Sequence, residues 1–313
     1  MRRFKSISEF HQFRQLPAPE HPLISVVEIN RVLQTEGTES MTWCYDFYAI
    51  GLKRVSFSHH INFRYGQQPY DFNEGILSFV APNQLLSLSI DTAQEITQSG
   101  WLLLIHPDFL WNTSLAKSIR KYDFWDYSVH ESLFLSAKEE AILIHTFQNI
   151  QQEYHTNIDR FSKQIIISQM ESLLNYADRF YHRQFITREK ANHQLLEKLE
   201  TLLDDYFSSD DPATKGLPTV QYISETLNVS SNYLRGLLKV LTGQNTQQLI
   251  HDKLIEKAKE KLSVTDFSIS EIAYALGFEH PQSFTKLFKS KTNLSPLAYR
   301  QSFNGRNQTP TVS

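Results

Sequence analysis

The stretch Ile223-Ser-Glu-Thr-Leu227-Asn-Val229 decides the fold, because it returns 49 positions later as Ile272-Ala-Tyr-Ala-Leu276-Gly-Phe278. Leu237-Leu238-Lys239 then lies over Leu287-Phe288-Lys289, and Thr242-Gly243 over Thr292-Asn293, at an offset of 50. The last third of the chain is therefore an internal repeat whose second copy has one extra residue in or just after its turn. Each copy reads as helix, tight turn, helix. The first helices end at Asn228 and Gly277, residue types that accept a positive φ at low cost. Ser230 is a natural N-cap for one second helix, and Pro281 suits the first position of the other. This is the helix-turn-helix pattern, in which the second helix enters the DNA major groove.

Between the copies, residues 246–262 contain no Pro or Gly and carry Leu249, Ile250, Leu254, Ala258 and Leu262 at helical spacing. Such a helix is roughly 25 Å long at ~1.5 Å per residue. It is a strut able to hold the two units about one turn of DNA, ~34 Å, apart, so that one chain reads two adjacent major grooves.

The second helices sort by face. Packing Leu234, Leu237, Leu238 and Leu241 inward leaves Ser231, Asn232, Arg235 and Lys239 outward. Packing Phe284, Leu287 and Phe288 inward leaves His280, Gln282, Ser283, Thr285, Lys286 and Lys289 outward. Arg pairs bidentately with guanine, and Asn or Gln with adenine, which nominates Arg235, Asn232 and Gln282 as base readers. Lys239, Lys286 and Lys289 suit phosphates. The plain alternative for each is a solvated side chain on an amphipathic helix.

Charge is divided in the same sense. Residues 1–211 hold 19 Lys and Arg against 27 Asp and Glu, a net of −8, whereas residues 212–313 hold 12 against 7, a net of +5. The total of −3 conceals an acidic body and a basic end that suits a polyanion.

Ser268-Ile-Ser-Glu-Ile-Ala-Tyr-Ala-Leu-Gly-Phe278, Gln282-Ser-Phe-Thr-Lys-Leu-Phe-Lys289, Thr292 and Leu294-Ser-Pro-Leu-Ala-Tyr-Arg300 resemble the signature of the AraC/XylS family of bacterial transcriptional regulators. The resemblance runs from about residue 219 to 300. It implies a C-terminal domain of seven helices with two recognition helices in successive major grooves. It also implies an N-terminal cupin-like barrel that binds an effector, followed by helices that dimerise. The family places an Arg in the linker helix where this chain has Leu254.

The N-terminal half supplies weaker signals of the same plan. Residues 23–29, 45–57, 76–80, 85–90 and 101–105 are short β-branched or aromatic runs, separated by turn residues such as Gly66, Pro69, Asn73, Pro82 and Gly100. They predict a small antiparallel barrel or sandwich at about 20–110. Ser136-Ala-Lys-Glu139 has the form of a capping box, followed by Ile144, Phe147, Ile150 and Tyr154 at helical spacing. From about residue 160, Phe161, Ile165, Ile166, Met170, Leu173, Ala177 and Phe180 form one broad stripe, which serves either as core or as a dimer surface. A third helix spans about 191–207, and 208–216 reads as a loop.

The expected architecture is α+β in two domains. Residues 1–187 form a cupin-like sensing and dimerisation domain with helices at about 136–183. Residues 188–303 form an all-α DNA-binding domain, with helix-turn-helix units at about 219–241 and 269–291 joined by the 246–262 helix, and 304–313 form a flexible tail.

Enzyme chemistry finds little footing. A cupin metal site needs His-x-His with a downstream Glu and a later His. Here His59 and His60 are adjacent, so on a strand they point to opposite faces, and the later His position holds Ser87. No P-loop or Gly-x-Gly-x-x-Gly is present, and the single cysteine, Cys44, can form no intrachain disulfide. No catalytic residue, metal or cofactor is expected. Trp43, Tyr45, Phe47 and His59, in an aromatic stretch reaching Phe57, Phe63 and Tyr65, are candidates to line an effector pocket, the alternative being ordinary core.

The first ten residues lack a signal-peptide core, and the longest apolar run, 101–105, is far short of the ~20 residues a membrane span needs. The sequence therefore predicts a cytoplasmic, dimeric DNA-binding regulator, with double-stranded DNA, a second copy, RNA polymerase and a small effector as partners. Two alternatives stay open, a cupin-type metalloenzyme with a helical partner-binding domain and a ligand-independent regulator whose barrel only dimerises.

Overall fold

The computed structural model describes residues 2–34, 39–57, 64–65, 68–69, 75–90, 95–127, 131–156, 160–187 and 189–304. The chain divides into two compact units, Met1–Arg188 and Glu189–Ser313. His59, and the tail apart from Asn304, lie outside the described residues.

The first unit begins with β1 (Arg2–Phe4) and α1 (Ile7–Phe13), ahead of the first strand that the sequence pattern predicts. Strands β2 (Ile24–Gln34), β3 (Glu39–Tyr45), β4 (Tyr48–Phe57), β5 (Arg64–Tyr65), β6 (Gln68–Pro69), β7 (Gly75–Val80), β8 (Leu86–Ile90), β9 (Glu95–Ile105) and β10 (Leu133–Leu135) follow. The single run expected over 45–57 is two strands. Main-chain and side-chain bonds to the N-terminal segment hold the corner between them, with Asp46 N–H donating to Phe4 O at 3.0 Å and Arg3 Nε donating to Asp46 Oδ1 at 2.7 Å.

Five antiparallel strands form one sheet in the order β10-β7-β4-β9-β2, and β1-β3-β8 form a second sheet in which β1 runs parallel to β3. Among the described residues the strands do not close into a barrel. The alternation along β4 explains how both faces of the larger sheet are covered. Ile50 and Leu52 pair with Leu103 and Trp101, and Trp101 stacks on Phe147 of the helix α3 (Ala137–Tyr154) at 6.0 Å between centroids. The intervening Ala49, with Leu104 and Val80, joins Phe4, Ile7, Phe10, Tyr45, Phe47 and Leu86 in a buried cluster that draws on both sheets and α1.

Between β9 and β10 lies α2 (Leu115–Ser118) among short turns. Ser136 and Glu139 form the capping box of α3. Arg183, on the 28-residue α4 (Arg160–Thr187), donates to both oxygens of that same Glu139 at 2.9 Å. Next to it, Glu140 is buried and receives Arg54 of β4 bidentately at 2.6 and 2.5 Å. The stripe of α4 is narrower than expected. Ile166, Met170, Leu173, Ala177 and Phe180 are buried, but Phe161 and Ile165 are 61% and 45% exposed because they sit on the rim of the packed face.

The second unit contains α5 (Glu189–Ser208), α6 (Asp211–Lys215), α7 (Val220–Thr226), α8 (Ser231–Thr242), α9 (Thr246–Val264), α10 (Ile269–Ala275), α11 (Pro281–Thr292) and α12 (Pro296–Asn304). The five-residue α6, begun at Asp211-Pro212, occupies the stretch read as a loop and makes eight helical segments among the described residues rather than seven. Its end is fixed by Tyr206, whose hydroxyl donates to Gly216 O at 2.9 Å.

Candidate nucleic-acid interface

Local chemistry sets the two helix-turn-helix units. Thr219 and Ser230 cap α7 and α8 by accepting from Tyr222 N and Tyr233 N, while Ser268 and Glu271 form a capping box on α10 and Pro281 opens α11. In the turns, Asn228 and Gly277 take φ of 54° and 90°. The Val229 N–H donates to Ser224 O and the Phe278 N–H to Ala273 O, both at 3.0 Å, so the offset of 49 holds through Phe278. From the cap residues Ser230 and His280 onward it is 50, which identifies Glu279 as the extra residue.

Both recognition helices, α8 and α11, bury an apolar side. Tyr233, Leu234, Leu237 and Leu238 are buried on α8, and Phe284 and Phe288 on α11. On the other side Arg235, Lys239, His280, Gln282, Ser283, Lys286 and Lys289 are exposed, and Ser231 and Asn232 are half-buried. Ser231 differs from the rest. Its hydroxyl lies 2.7 Å from that of Ser224, which itself donates to Val220 O and Gln221 O, so the Ser231 proton ties α8 to α7 across the turn.

Helix α9 braces both units. Leu254, where the family carries an Arg, is fully buried, so an apolar contact replaces any polar one there. Lys253 and Lys257 of α9 reach Asp204 of α5 at 2.9 and 3.4 Å. The hydrogen bond from Lys253, with that from Lys257 beside it, holds the Asp204 carboxyl below its ordinary pKa. Arg300 of α12 donates to Leu262 O and Phe267 O at 3.3 and 2.6 Å, securing the C-terminal end of α9. Lys291, five residues beyond Lys286 on α11, is bound to Asp252 of α9 at 2.7 Å. No local pattern in the sequence announces this partner 39 positions away.

In the first unit Tyr45 and Phe47 belong to the buried cluster, stacked at 5.1 Å, and Phe10 packs against both. Trp43 is half-buried and donates from Nε1 to the Tyr45 hydroxyl at 2.7 Å. Burial pushes the Tyr45 phenol up to about 12. Among the described residues no group of three or more His, Cys, Asp or Glu is placed to hold a metal ion, and no helix is long and apolar enough to cross a membrane.

Two capped helix-turn-helix units on one shared helix define a DNA-binding domain of the tandem type. Residues 223–302 match the family described as a helix-turn-helix domain, which is of the AraC type. The chain is similar to the raffinose operon transcriptional regulatory protein RafR of Pediococcus pentosaceus, 33% identical over 84 residues, which are 27% of this chain and 30% of that protein. It is also similar to a histidine kinase of Formosa agariphila, 27% identical over 119 residues, 38% of this chain and 8% of the kinase. Among solved structures, the C-terminal domain of the two-component response regulator yesN from Fusobacterium nucleatum is 30% identical over 33% of this chain and 95% of that one, with a TM-score of 0.30. The match spans 8% to 30% of the first curated relatives' lengths.

Proposed function

We propose that this chain is a sequence-specific, double-stranded-DNA-binding transcription regulator, in which one copy reads two adjacent major grooves. The observation that carries the reading is the duplicated unit, with two apolar-backed recognition helices presenting Arg235 and Lys239, and Gln282, Lys286 and Lys289, on exposed faces. Asn232, Arg235 and Gln282 read bases. Lys239, Lys286 and Lys289 hold phosphates, with His280 and Ser283 at the start of α11.

The first domain, 1–187, acts as a cupin-like sensor and the second, 188–303, as the DNA reader. Binding of a small effector to the first alters dimer geometry or domain docking, and with it promoter occupancy or contact with RNA polymerase. A homodimer through α4 is supported by Phe161, Ile165, Tyr176 and Ile186, which are 36% to 63% exposed along one helix. A DNA partner places the chain in the cytoplasm, and no catalytic step is assigned to it.

Selection from random duplexes tests the reading. The expected result is one motif with two parts about 10 base pairs apart, bound with an affinity that falls steeply with salt. Salt-insensitive association, or no enriched sequence, refutes it.

A further inference from the structure

The C-terminal ends of both recognition helices meet at one carboxylate. Helix α8 closes on Gly243 in the left-handed conformation, and the next residue, Gln244, donates from Nε2 to Asp252 Oδ2 at 2.7 Å. Helix α11 closes on Asn293 in the same conformation, and Lys291, in its last turn, donates from Nζ to Asp252 Oδ1 at 2.7 Å. Asp252 is on the second turn of α9, the helix that connects the two units in sequence. Each carboxylate oxygen thus serves a different helix-turn-helix unit.

We propose that Asp252 is a positioning residue that fixes the angle between α8 and α11, and so sets the spacing of the two half-sites that one chain accepts. This inference rests on the DNA-binding reading above. The physical case is that the pair is too accessible to matter much as stability, with the Asp252 and Lys291 side chains 41% and 31% exposed. What it controls is orientation. A second helix-turn-helix unit engages DNA intramolecularly, and its effective concentration at its half-site depends on how narrowly the connection holds it. Loosening the clamp spreads the second unit over wrong orientations and lowers that concentration, while each unit by itself stays intact.

Electrostatics and positioning predict opposite outcomes here. Asp252→Ala removes a negative charge and releases Lys291, so an ion pair that merely lies on the surface predicts tighter binding to every duplex. The clamp predicts a looser fit to the specific site and a smaller cost for moving its halves.

The experiment uses the full chain, the duplex enriched by selection, the same duplex with one base pair inserted or deleted between its halves, and a duplex with one half only. For the unaltered chain, the inserted or deleted pair costs affinity through a rotation of about a tenth of a turn. In Asp252→Ala the affinity for the correct duplex falls about tenfold, ~1.4 kcal/mol. The spacing cost falls with it, and binding to the half-site is not weakened. Lys291→Met relaxes the spacing cost likewise although it alters charge in the opposite direction, and the double variant adds nothing further to that relaxation. An unchanged spacing cost in both variants, with affinity rising in Asp252→Ala and falling in Lys291→Met, overturns the clamp and leaves DNA binding standing. A chain that selects no duplex overturns the DNA-binding reading itself.

Discussion

Replacing Gly277 with alanine separates two reasons for a glycine, because Gly243 shares its left-handed backbone but not its surroundings. Gly277 has φ 90° and Gly243 φ 72°. A Cβ on Gly277 would lie 2.8 Å from Gly216 C, 2.9 Å from Gly216 O and 3.0 Å from Pro212 O, all main-chain atoms that no rotamer can move. A Cβ on Gly243 meets nothing within 4 Å.

The left-handed conformation costs an alanine ~1–2 kcal/mol. Its smaller unfolded-state entropy offsets roughly 0.4–1 kcal/mol of that. Gly243→Ala should therefore cost about 1 kcal/mol. At Gly277 the overlap with α6 adds an overpacking term of ~1–3 kcal/mol, for a total of about 3 kcal/mol. Hydrogen exchange on the full chain measures this locally, as the opening free energy of the amides of α10 and α11 for Gly277→Ala and of α8 and the start of α9 for Gly243→Ala. Equal losses in the two variants, within 0.5 kcal/mol as an approximate margin of additivity, would refute the steric argument and with it the packing of the second turn on Gly216.

Other predictions follow from the same geometry. Arg235→Ala should cost about 1–3 kcal/mol of DNA affinity and relax preference at one base, whereas Lys289→Ala should weaken all sequences alike and reduce the salt slope by about 1, both read by titration against a duplex library. Arg54→Met should lower the stability of the first unit by about 2–3 kcal/mol, seen as an earlier thermal transition, because it leaves the buried Glu140 carboxylate without its bidentate partner, discounted for the 56% exposure of Arg54. His11 should make the first unit acid-sensitive. Its Nδ1 faces Pro17 O at 2.5 Å, which can only accept, so Nε2 is the acceptor for the Ser25 hydroxyl at 2.9 Å, and burial holds the imidazole below 6.5. The unfolded chain therefore binds the proton more readily. This contribution is intact above pH 6.5 and is lost as pH falls from 6.5 towards the lower folded value. His11→Asn should flatten that part of the stability curve, and an unchanged slope would refute the assignment.

The DNA-binding half was legible because its signals are short-range. Ser230 and Pro281 start helices by their own chemistry, Asn228 and Gly277 turn the chain by theirs, and the apolar spacing of Leu234, Leu237 and Leu238 needs no knowledge of what lies opposite. The N-terminal half was legible only in part. The segment holding β1 and α1 carries a local helix start in Ser6 and Glu9, but its helix of seven residues is too short to show a period, and Phe4, Ile7 and Phe10 find their place by packing with Tyr45 and Phe47. The corner at Asp46 is equally invisible along the chain, since its partners are Arg3 and Phe4. Phe161 and Ile165 look like core by period, and only the position of the packed face puts them outside it.

By itself the sequence determined the two helix-turn-helix units, their caps, the single-residue insertion and the polar faces they present, because helix capping and helical periodicity act within a few residues. Tertiary structure decided what joins distant parts. It sorted eight of the described strands into two sheets, set Arg54 on Glu140, committed Ser231 to the turn and brought Gln244 and Lys291 to the two oxygens of Asp252. Those pairings depend on where each side chain ends in space, and residues 39 or 86 positions apart carry no local sign of their partners.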